Sequence, residues 1–275
     1  MSSVSPPRKT KVALITGASS GIGLELARQL AARHVDLVLV SRDQAQLEKI
    51  AQPLRAEHGV SVHVLGADLA TPAAAARVFE FTRAEGIAVD WLINNAGVGL
   101  YGEHLDLDID GIASMLQLNV TALGELCFFF GKEMRARRSG RILNIASTAA
   151  YQPAPFFAAY GASKAYVLNF SEALAKELED AGVTVSCLSP GPTATAFFRG
   201  VDEGGIENGH FDKSDRADPR VVAAIGLELM ESGKLSKIVG PLNFLRTWSA
   251  RFASRAMVAS ISKKLLAPKS KPHPA

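Results

Sequence analysis

Cysteine is scarce in this chain of 275 residues, which excludes a disulfide framework. The two cysteines, Cys127 and Cys187, lie inside apolar runs far apart in the sequence, so we interpret them as small core residues of a protein in a reducing compartment. The clustered Cys and His spacing of a zinc site is also lacking. These absences predict a cytoplasmic protein that binds no metal.

Long apolar segments are missing as well. The first ten residues are polar and include two prolines, and no apolar stretch separates them from the first predicted strand, which argues against a signal peptide. No continuous apolar run reaches the length of a membrane span. We predict that residues 1–10 form a disordered N-terminal arm.

Acidic residues are absent from the last part of the chain. All 27 Asp and Glu residues precede Gly233, whereas nine of the 30 Lys and Arg residues follow it, so the net charge of +3 combines an acidic body with a basic C-terminal segment. The cations form a tail without a patch of aromatic stacking positions, so nucleic acid is not an expected partner. Residues 241–266 are predicted to form a basic amphipathic helical extension, and residues 267–275 a disordered tail.

What the chain does contain is an alternation of apolar, β-branched runs with helical patterns, from residue 11 to about residue 189. Its length and its 48% share of hydrophobic residues suit one domain with a large core. The runs 37–40 and 91–93 are continuously apolar, as in strands covered on both faces. We predict an α/β fold with a doubly wound parallel sheet over residues 11–240. Its expected strands are 12–16, 35–41, 60–66, 90–94, 141–147 and 183–189.

A glycine turn follows the first predicted strand, with Gly17, Gly21 and Gly23 in the spacing G-x-x-x-G-x-G. A turn packed against a pyrophosphate needs residues without a Cβ, and the helix after it offers free N–H groups to the anion. An ordinary strand-to-helix turn would use the same letters. The residues predicted to bind a nucleotide here are Gly17, Ser19, Ser20, Gly21, Ile22 and Gly23.

Residues that follow the other strands are candidates too, because ligands of such sheets bind beyond the carboxyl ends of the strands. Ser41 and Arg42 stand where a carboxylate would select an unphosphorylated ribose, which favours a 2′-phosphate. Arg42 could equally be a solvated residue beside Asp43 as helix N-cap. Asp68 and Leu69 could contact an adenine, or Asp68 could cap the next helix.

The fourth predicted strand leads into a turn of small and amide residues. A cofactor could lie across such residues, and a plain turn would use them as well. The residues of this turn that are predicted to bind the cofactor are Asn95, Ala96 and Gly97.

A helical pattern runs from about residue 109 to residue 138 and carries Asn119 within it. Its stretch 126–130 is apolar all round, so it must be buried on more than one side. The sheet covers one side, and we infer that a partner subunit covers the second. The expected assembly is a homo-oligomer.

Tyr160 and Lys164 stand four residues apart in an Ala- and Leu-rich helical pattern, so they share one helix face. A phenol has a pKa of about 10, and a neighbouring ammonium lowers that pKa by favouring the phenolate. The pair suits general acid–base chemistry at neutral pH. An interfacial tyrosine beside a solvated lysine would show the same spacing.

Together these motifs resemble the short-chain dehydrogenase/reductase family in its single-domain form. The resemblance covers about residues 11–195 and includes residues 16–23 and 94–97, which occur in family order and at family-like spacing. The other matching residues are Asn119, Ser147, Tyr160, Lys164, Pro190 and Gly191. The resemblance implies a Rossmann-type sheet and hydride transfer between a nicotinamide and a carbonyl or secondary alcohol. Because Arg42 resembles the NADP-preferring members, the expected cofactor is NADP(H).

In the direction of reduction, we assign Tyr160 as the general acid that protonates the carbonyl oxygen and Ser147 as its hydrogen-bond partner. The resemblance further implies that Lys164 binds the nicotinamide ribose and lowers the pKa of Tyr160. It also implies that Asn119 holds a water that links Lys164 to solvent. The predicted catalytic residues are therefore Asn119, Ser147, Tyr160 and Lys164. The expected cofactor site is completed by Pro190 and Gly191, with Thr193 and Thr195 at the carboxamide.

Two other functions fit the sequence less well. A serine hydrolase would need a G-x-S-x-G elbow, which is absent, and the S-x-x-K motif at Ser260 lies in the basic tail without companion motifs. A non-catalytic NADP-binding module is the alternative, although all four catalytic positions are occupied.

Several large apolar residues fall in loops that should surround the nicotinamide end, so we expect an apolar carbonyl or alcohol substrate. Acyl chains, steroids, terpenoids and aromatic ketones all fit this description. The residues are Leu100, Tyr101, Phe156, Phe157, Phe197 and Phe198.

Two features depart from the common family pattern. A short apolar run at residues 237–240 is followed by about 35 more residues, so the usual edge-to-edge dimer through a seventh strand is in doubt. Pro53 lies inside the second helical pattern and predicts a kink or break there.

The basic extension offers an apolar stripe at helical spacing. The stripe contains Leu245, Trp248, Phe252 and Ala256, and Ile261 and Leu265 continue the apolar pattern. Such a helix could cover the pocket or a partner subunit. It could also rest on an anionic membrane surface, since basic residues lie on its other faces. The basic residues on the other faces of the extension are Arg246, Arg251, Arg255, Lys263 and Lys264.

Overall fold

The computed structural model describes residues 10–195 and 216–268. Its centre is a sheet of seven parallel strands in the order β3-β2-β1-β4-β5-β6-β7. The strands are β1 Val12–Thr16, β2 Asp36–Ser41, β3 Val62–Gly66, β4 Trp91–Asn94, β5 Gly140–Ile145, β6 Val183–Ser189 and β7 Ser236–Ile238. The helices are α1 Gly21–Ala31, α2 Gln44–His58, α3 Ala74–Ala84, α4 Ile109–Leu116, α5 Leu123–Ala136, α6 Ala158–Leu178, α7 Pro219–Ser232, α8 Pro241–Ser249 and α9 Arg255–Leu266.

Both faces of the sheet are covered by helices, which confirms the doubly wound α/β fold. Along β1, Ala13 and Ile15 belong to one buried apolar cluster and Leu14 to the other. Helices α1, α2 and α7 contribute to the first cluster, and α3, α5 and α6 to the second. The continuously apolar runs of the sequence therefore reflect strands whose alternate residues contact opposite helix layers.

The strand order reverses between β1 and β4. Strand β1 pairs with β2 on one side and with β4 on the other, so the connections that leave these strands diverge. A crevice opens at such a point, outside the carboxyl ends of the strands. The glycine turn after β1 and residues 95–97 after β4 lie there.

Helix α2 runs through Pro53 without a break, so the predicted break is wrong. Asp43 caps the helix by accepting a hydrogen bond from the N–H of Gln46 at 2.9 Å, and Gly59 ends it in the left-handed conformation. Pro53 is exposed, so water can bind the carbonyl oxygen that loses its helical partner.

The long central helix predicted at residues 109–138 contains a π-helical segment, Gln117–Ala122, between α4 and α5. By length and composition, the helical segment Ile109–Ala136 is long and apolar enough to cross a membrane. This finding corrects the expectation that no segment of the chain reaches the length of a membrane span. A buried core helix passes the same criterion, and Leu126, Phe130 and Met134 pack in the core beside the sheet. Phe128, on another side of α5, is 64% exposed.

The C-terminal extension contains two helices, so the single apolar stripe predicted through Ala256 is wrong. Helix α8 ends at Ser249, a short 3-10 turn follows, and Ser254 caps the start of α9 by accepting a backbone hydrogen bond. The rings of Trp248 and Phe252 still contact each other, with centroids 4.7 Å apart. Before the extension, strand β7 does form and pairs with β6 over three residues.

Candidate active site

The glycine turn after β1 has a backbone that requires glycine. Gly17 and Gly21 have positive φ angles of 66° and 56°. A Cβ on Gly23 would lie 2.3 Å from the carbonyl oxygen of Gly17, so Gly23 allows α1 to start against the turn. Ser20 is the N-cap of α1, and its hydroxyl caps none of the helix N–H groups. The first turn of α1 therefore offers unpaired donors to the crevice.

Residues 95–97 join the glycine turn to the catalytic residues. The Asn95 Nδ2 donates to the carbonyl oxygen of Gly17 at 3.2 Å. A Cβ on Gly97 would lie 3.2 Å from both the Asn119 Oδ1 and the Lys164 Nζ. The turn after β4 is thus packed so closely on both neighbours that only small residues fit.

The end of β2 offers groups for a phosphate. The Ser41 Oγ is buried and has no hydrogen-bond partner among the residues that the structure describes. The exposed Arg42 side chain makes no hydrogen bond or ion pair with any residue in the described ranges. Asp43 is engaged as the N-cap of α2. A hydroxyl and a guanidinium therefore remain for a 2′-phosphate, which they fit as hydrogen-bond donors.

Asp68 does not cap the following helix, so that alternative is wrong. Its carboxylate accepts a hydrogen bond from the N–H of Ala70 at 3.0 Å, whereas the N-cap of α3 is Ala73, which provides no side-chain cap. Asp68 is exposed and, with Leu69, lines the same cavity as the glycine turn.

Ser147 and Tyr160 form a hydrogen-bonded pair just beyond the end of β5. The Ser147 Oγ also accepts a hydrogen bond from the N–H of Ala149 at 3.1 Å, which fixes the hydroxyl. Burial raises the pKa of Tyr160 to about 12, and the hydrogen bond with Ser147 acts in the opposite direction. The phenol is therefore protonated at neutral pH and can donate a proton.

Lys164 is buried on the same helix face, and its Nζ donates to the carbonyl oxygen of Ile145 at 2.9 Å. Burial lowers its pKa to about 8. The Nζ lies 6.0 Å from the centroid of the Tyr160 ring. The spacing of the pair predicts that Lys164 lowers the pKa of Tyr160, but burial dominates and raises that pKa. A periodicity argument cannot reveal how far both groups are removed from water.

Asn119 ties the π-helical segment to the neighbouring elements. Its Nδ2 donates to the carbonyl oxygen of Val98 at 2.9 Å and to the Ser163 Oγ at 3.1 Å. Its Oδ1 accepts from the N–H of Val98 at 3.1 Å. Both amide hydrogens are thus used inside the protein, and one acceptor position remains on Oδ1 for the water that the resemblance implies.

The segment after β6 lies across the crevice from α1. A Cβ on Gly21 would lie 2.8 Å from the side chain of Thr195, so Thr195 is placed beside the glycine turn. The Thr193 hydroxyl donates to the carbonyl oxygen of Gly191 at 3.0 Å. Pro190, Gly191, Thr193 and Thr195 all line the cavity.

A single cavity of about 830 Å³ connects these groups. It is lined by the predicted residues of the glycine turn other than Gly23, by residues that follow β2, β3 and β4, and by Ser147, Tyr160 and Lys164. Gly23 and Asn119 are not among the lining residues. Within the described ranges, no group of three or more His, Cys, Asp or Glu residues is placed to hold a metal ion.

The extension lies over part of the cavity, as one of the alternatives drawn from the sequence expected, and it contributes residues that the predicted site did not include. A Cβ on Gly191 would lie 2.4 Å from the Asn243 Nδ2, so α8 closes on the segment after β6. Arg246 and Thr247 from α8 and Ile261 and Leu265 from α9 also line the cavity. The polar residues on the inner side of an otherwise apolar helix were the one sequence signal for this.

The predicted apolar loops are only partly at the cavity. Phe157 lines it and contacts the Tyr160 ring, with centroids 5.8 Å apart. Tyr101 contacts both Phe156 and Phe157, and its hydroxyl donates to the carbonyl oxygen of Leu266. Leu100 is not among the lining residues. Phe197 and Phe198 lie outside the described residues.

Comparison with known proteins gives a consistent result. Residues 11–204 match the family model described as short chain dehydrogenase. The 17-beta-hydroxysteroid dehydrogenase type 3 of Mus musculus is 33% identical over 189 residues, which cover 68% of this chain and 61% of the mouse protein. The very-long-chain 3-oxoacyl-CoA reductase of Anas platyrhynchos is 32% identical over 227 residues, which cover 80% of this chain and 69% of that protein.

A solved structure shares the fold. A short-chain dehydrogenase from Sphingobium yanoikuyae, in complex with NADPH, superposes with a TM-score of 0.78 at 34% identity. The match covers 91% of this chain and 95% of that chain.

Proposed function

Because this chain belongs to the short-chain dehydrogenase/reductase family, we propose that it is an NADP(H)-dependent oxidoreductase. It transfers a hydride between the nicotinamide and a carbonyl or secondary alcohol of an apolar substrate. The observation that carries this proposal is the hydrogen-bonded pair of Ser147 and Tyr160, with Lys164 beside it, in the cavity that the glycine turn opens into. No observation favours the alternative of a non-catalytic NADP-binding module.

The residues present fit the cofactor. The glycine turn leaves room and N–H donors for a pyrophosphate, the Ser41 hydroxyl and Arg42 suit a 2′-phosphate, and Lys164 has ammonium hydrogens for ribose hydroxyls. Thr193 and Thr195 are the proposed contacts of the nicotinamide carboxamide. When bound, NADPH supplies the hydride that reduces the carbonyl carbon.

The chain's own residues supply the proton. The Tyr160 phenol is protonated at neutral pH and donates its proton to the carbonyl oxygen, while the Ser147 hydroxyl hydrogen-bonds the same oxygen and stabilises its developing charge. Lys164 would hold the ribose hydroxyls of a bound cofactor, and its ammonium, with a pKa of about 8, would carry an exchangeable proton on the path that restores the Tyr160 phenol. Asn119 positions Val98 and Ser163 around this path.

The test is a screen of the purified protein with NADPH against ketones of increasing apolar size, including acyl, steroid, terpenoid and aromatic ketones. We expect carbonyl-dependent oxidation of NADPH with apolar ketones and little with small polar ones. Oxidation that is independent of any carbonyl, or none with any member of the panel, would argue for the non-catalytic module.

Arg42→Ala should change the cofactor preference. Because Arg42 is the cation available to a 2′-phosphate at the end of β2, its loss should lower kcat/KM for NADPH about tenfold or more and leave NADH nearly unaffected. The measurement is kcat/KM for both cofactors. Lys49→Ala is the matched control, since Lys49 is an exposed cation of α2 outside the cavity. Equal values for NADPH and NADH in the wild type would contradict the preference.

We also propose that the chain forms a homo-oligomer through α5 and α6. A Cβ on Gly124 would lie 3.3 Å from the Tyr166 hydroxyl, and Phe128 follows Gly124 by one turn. Phe128 and Tyr166 are 64% and 41% exposed, which leaves the second side of the apolar run uncovered.

Phe128→Asp should therefore shift the protein towards monomer in sedimentation velocity. A charge buried at a subunit contact is unfavourable unless it is paired. Val221→Asp is the control, because Val221 is an exposed apolar residue of α7. An unchanged assembly in the Phe128 variant would exclude this face.

Cys127 and Cys187 are buried and free, which supports the proposed cytoplasmic location.

A further inference from the structure

The extension carries a large apolar surface that faces outward. Eight large apolar side chains of α8, α9 and the turn between them are exposed, and Phe252 reaches 74%. Single exposed apolar residues are ordinary, but this many on two successive helices indicate an interaction surface. We name this set the C-terminal apolar surface. It consists of Leu242, Phe244, Leu245, Trp248, Phe252, Met257, Ile261 and Leu265.

The periodicity of both helices separates an inner from an outer side. In α8 the buried Thr247 and the half-buried Asn243 are one turn apart, and the exposed apolar residues occupy the remaining positions around them. In α9 the buried Val258 and Ser262 lie inward, whereas Met257, Ile261 and Leu265 follow at intervals of four. Each helix thus exposes large apolar side chains away from its buried residues, and Ile261 and Leu265 lie at the rim between this exposed side and the cavity.

Both helices are fixed to the body in this orientation. A Cβ on Gly191 would lie 2.4 Å from the Asn243 Nδ2, so α8 packs against the segment after β6. The Tyr101 hydroxyl donates to the carbonyl oxygen of Leu266, at the end of α9, at 2.5 Å. The C-terminal apolar surface is therefore held outward by contacts of the inner side.

The charged side chains of α8 and α9 have one sign. Arg246, Arg255, Lys263 and Lys264 are exposed and form no ion pair within the described part of the chain. No acidic residue follows Glu231 in the sequence. Cations beside an exposed apolar stripe complement a surface that is negatively charged outside and apolar beneath.

We propose that the C-terminal apolar surface docks onto an anionic lipid bilayer, with α8 and α9 lying in the interfacial plane. The apolar side chains enter the acyl boundary, and the four cations contact the headgroups. Ile261 and Leu265 are half exposed and also line the active-site cavity. This last point rests on the proposed function: an apolar ketone dissolved in the bilayer reaches the cavity along these side chains.

The test uses Trp248 as the probe. The chain has two tryptophans; Trp91 is 9% exposed within β4, whereas Trp248 is 47% exposed. Vesicles of phosphatidylcholine with phosphatidylglycerol, whose acyl chains carry bromine, should quench Trp248 at low salt. The apparent affinity for vesicles, measured from this quenching, should decrease at least tenfold at high salt. It should decrease as much when the vesicles contain phosphatidylcholine alone.

Matched variants distinguish vesicle binding through the C-terminal apolar surface from nonspecific binding of the protein to vesicles. Leu245→Ser with Phe252→Ser should weaken vesicle binding at least tenfold, and neither residue lines the cavity. Val221→Ser is the control, because Val221 is an exposed apolar residue of α7, and this variant should bind vesicles as the wild type does. Unchanged NADPH affinity in each variant shows that the chain is folded.

No vesicle binding at low salt overturns the proposal, as does equal binding by the double variant and the wild type. Dissociation of a wild-type oligomer by the double variant, without vesicle binding by either, would assign the surface to a second copy of the chain instead. Vesicle binding is measured without turnover, so a protein that binds vesicles but reduces no carbonyl contradicts the proposed function and leaves the docking intact.

Discussion

Tyr160→Phe should lower kcat for ketone reduction about 10²- to 10⁴-fold, the range that general acid catalysis contributes. The phenol donates the proton to the carbonyl oxygen, and phenylalanine keeps the ring but has no proton to donate. Because Tyr160 acts on the substrate, NADPH affinity should remain within about twofold. Single-turnover reduction and NADPH binding, measured by fluorescence, separate the two effects.

Tyr151→Phe is the matched control for this variant. The Tyr151 hydroxyl lies 3.3 Å from the Ser189 Oγ, and the residue is not among those that line the cavity. Its loss should leave kcat within a small factor of the wild type. If the Tyr160 variant reduces a good ketone as fast as the Tyr151 variant, the general acid has been assigned to the wrong residue.

Lys164→Met should weaken NADPH binding and remove most of the turnover, because Lys164 both holds the cofactor and relays the proton. Methionine fills nearly the same buried volume without the charge. Lys164 has a pKa of about 8, so the wild-type ammonium is lost as the pH rises through that value. The wild-type affinity for NADPH should therefore decrease as the pH rises above about 8, by at most about tenfold per pH unit.

The methionine variant should show a flat pH profile of NADPH affinity in the same range. Arg42 keeps its charge there, and the 2′-phosphate is already doubly ionised, so neither produces the dependence.

The lowered pKa of Lys164 also affects the stability of the fold. The unfolded chain binds the lysine proton up to its ordinary value of 10.5, whereas the folded chain releases it near 8. The free energy of unfolding of the wild type, relative to the variant, should thus rise between these pH values.

A wild-type affinity for NADPH that is independent of pH up to about pH 10 would contradict this role of Lys164. Retained affinity and turnover in the methionine variant would do so as well. Lys176→Met is the control, since Lys176 is an exposed lysine of the same helix, paired with Glu179. It should change neither profile.

The sheet and the glycine turn could be predicted because their causes are local. Continuously apolar runs specify strands between two helix layers, and Gly17 and Gly21 have the positive φ angles that only glycine adopts readily. Tyr160 and Lys164 share a helix face by spacing alone. These parts of the site need no knowledge of distant residues.

The rest of the site depends on contacts between distant parts of the chain. Asn243 reaches Gly191 from a helix about 50 residues further along, and no local pattern announces that approach. The pKa of Tyr160 depends on how completely the loops and helices around it exclude water, which periodicity cannot show. Pro53 failed as a helix breaker because its side of α2 faces solvent. In each case the tertiary environment decided the outcome.

The central claim is that a hydride passes from the nicotinamide to a carbonyl carbon while Tyr160 provides the proton. The most direct measurement uses NADPH labelled with deuterium at C4 of the nicotinamide, an apolar ketone that the enzyme reduces, and mass spectrometry of the alcohol. We predict one deuterium on the carbinol carbon with the wild type, and loss of product formation with Tyr160→Phe. Oxidation of the labelled NADPH that leaves the alcohol unlabelled, or equal rates of labelling with and without the Tyr160 hydroxyl, would contradict the account.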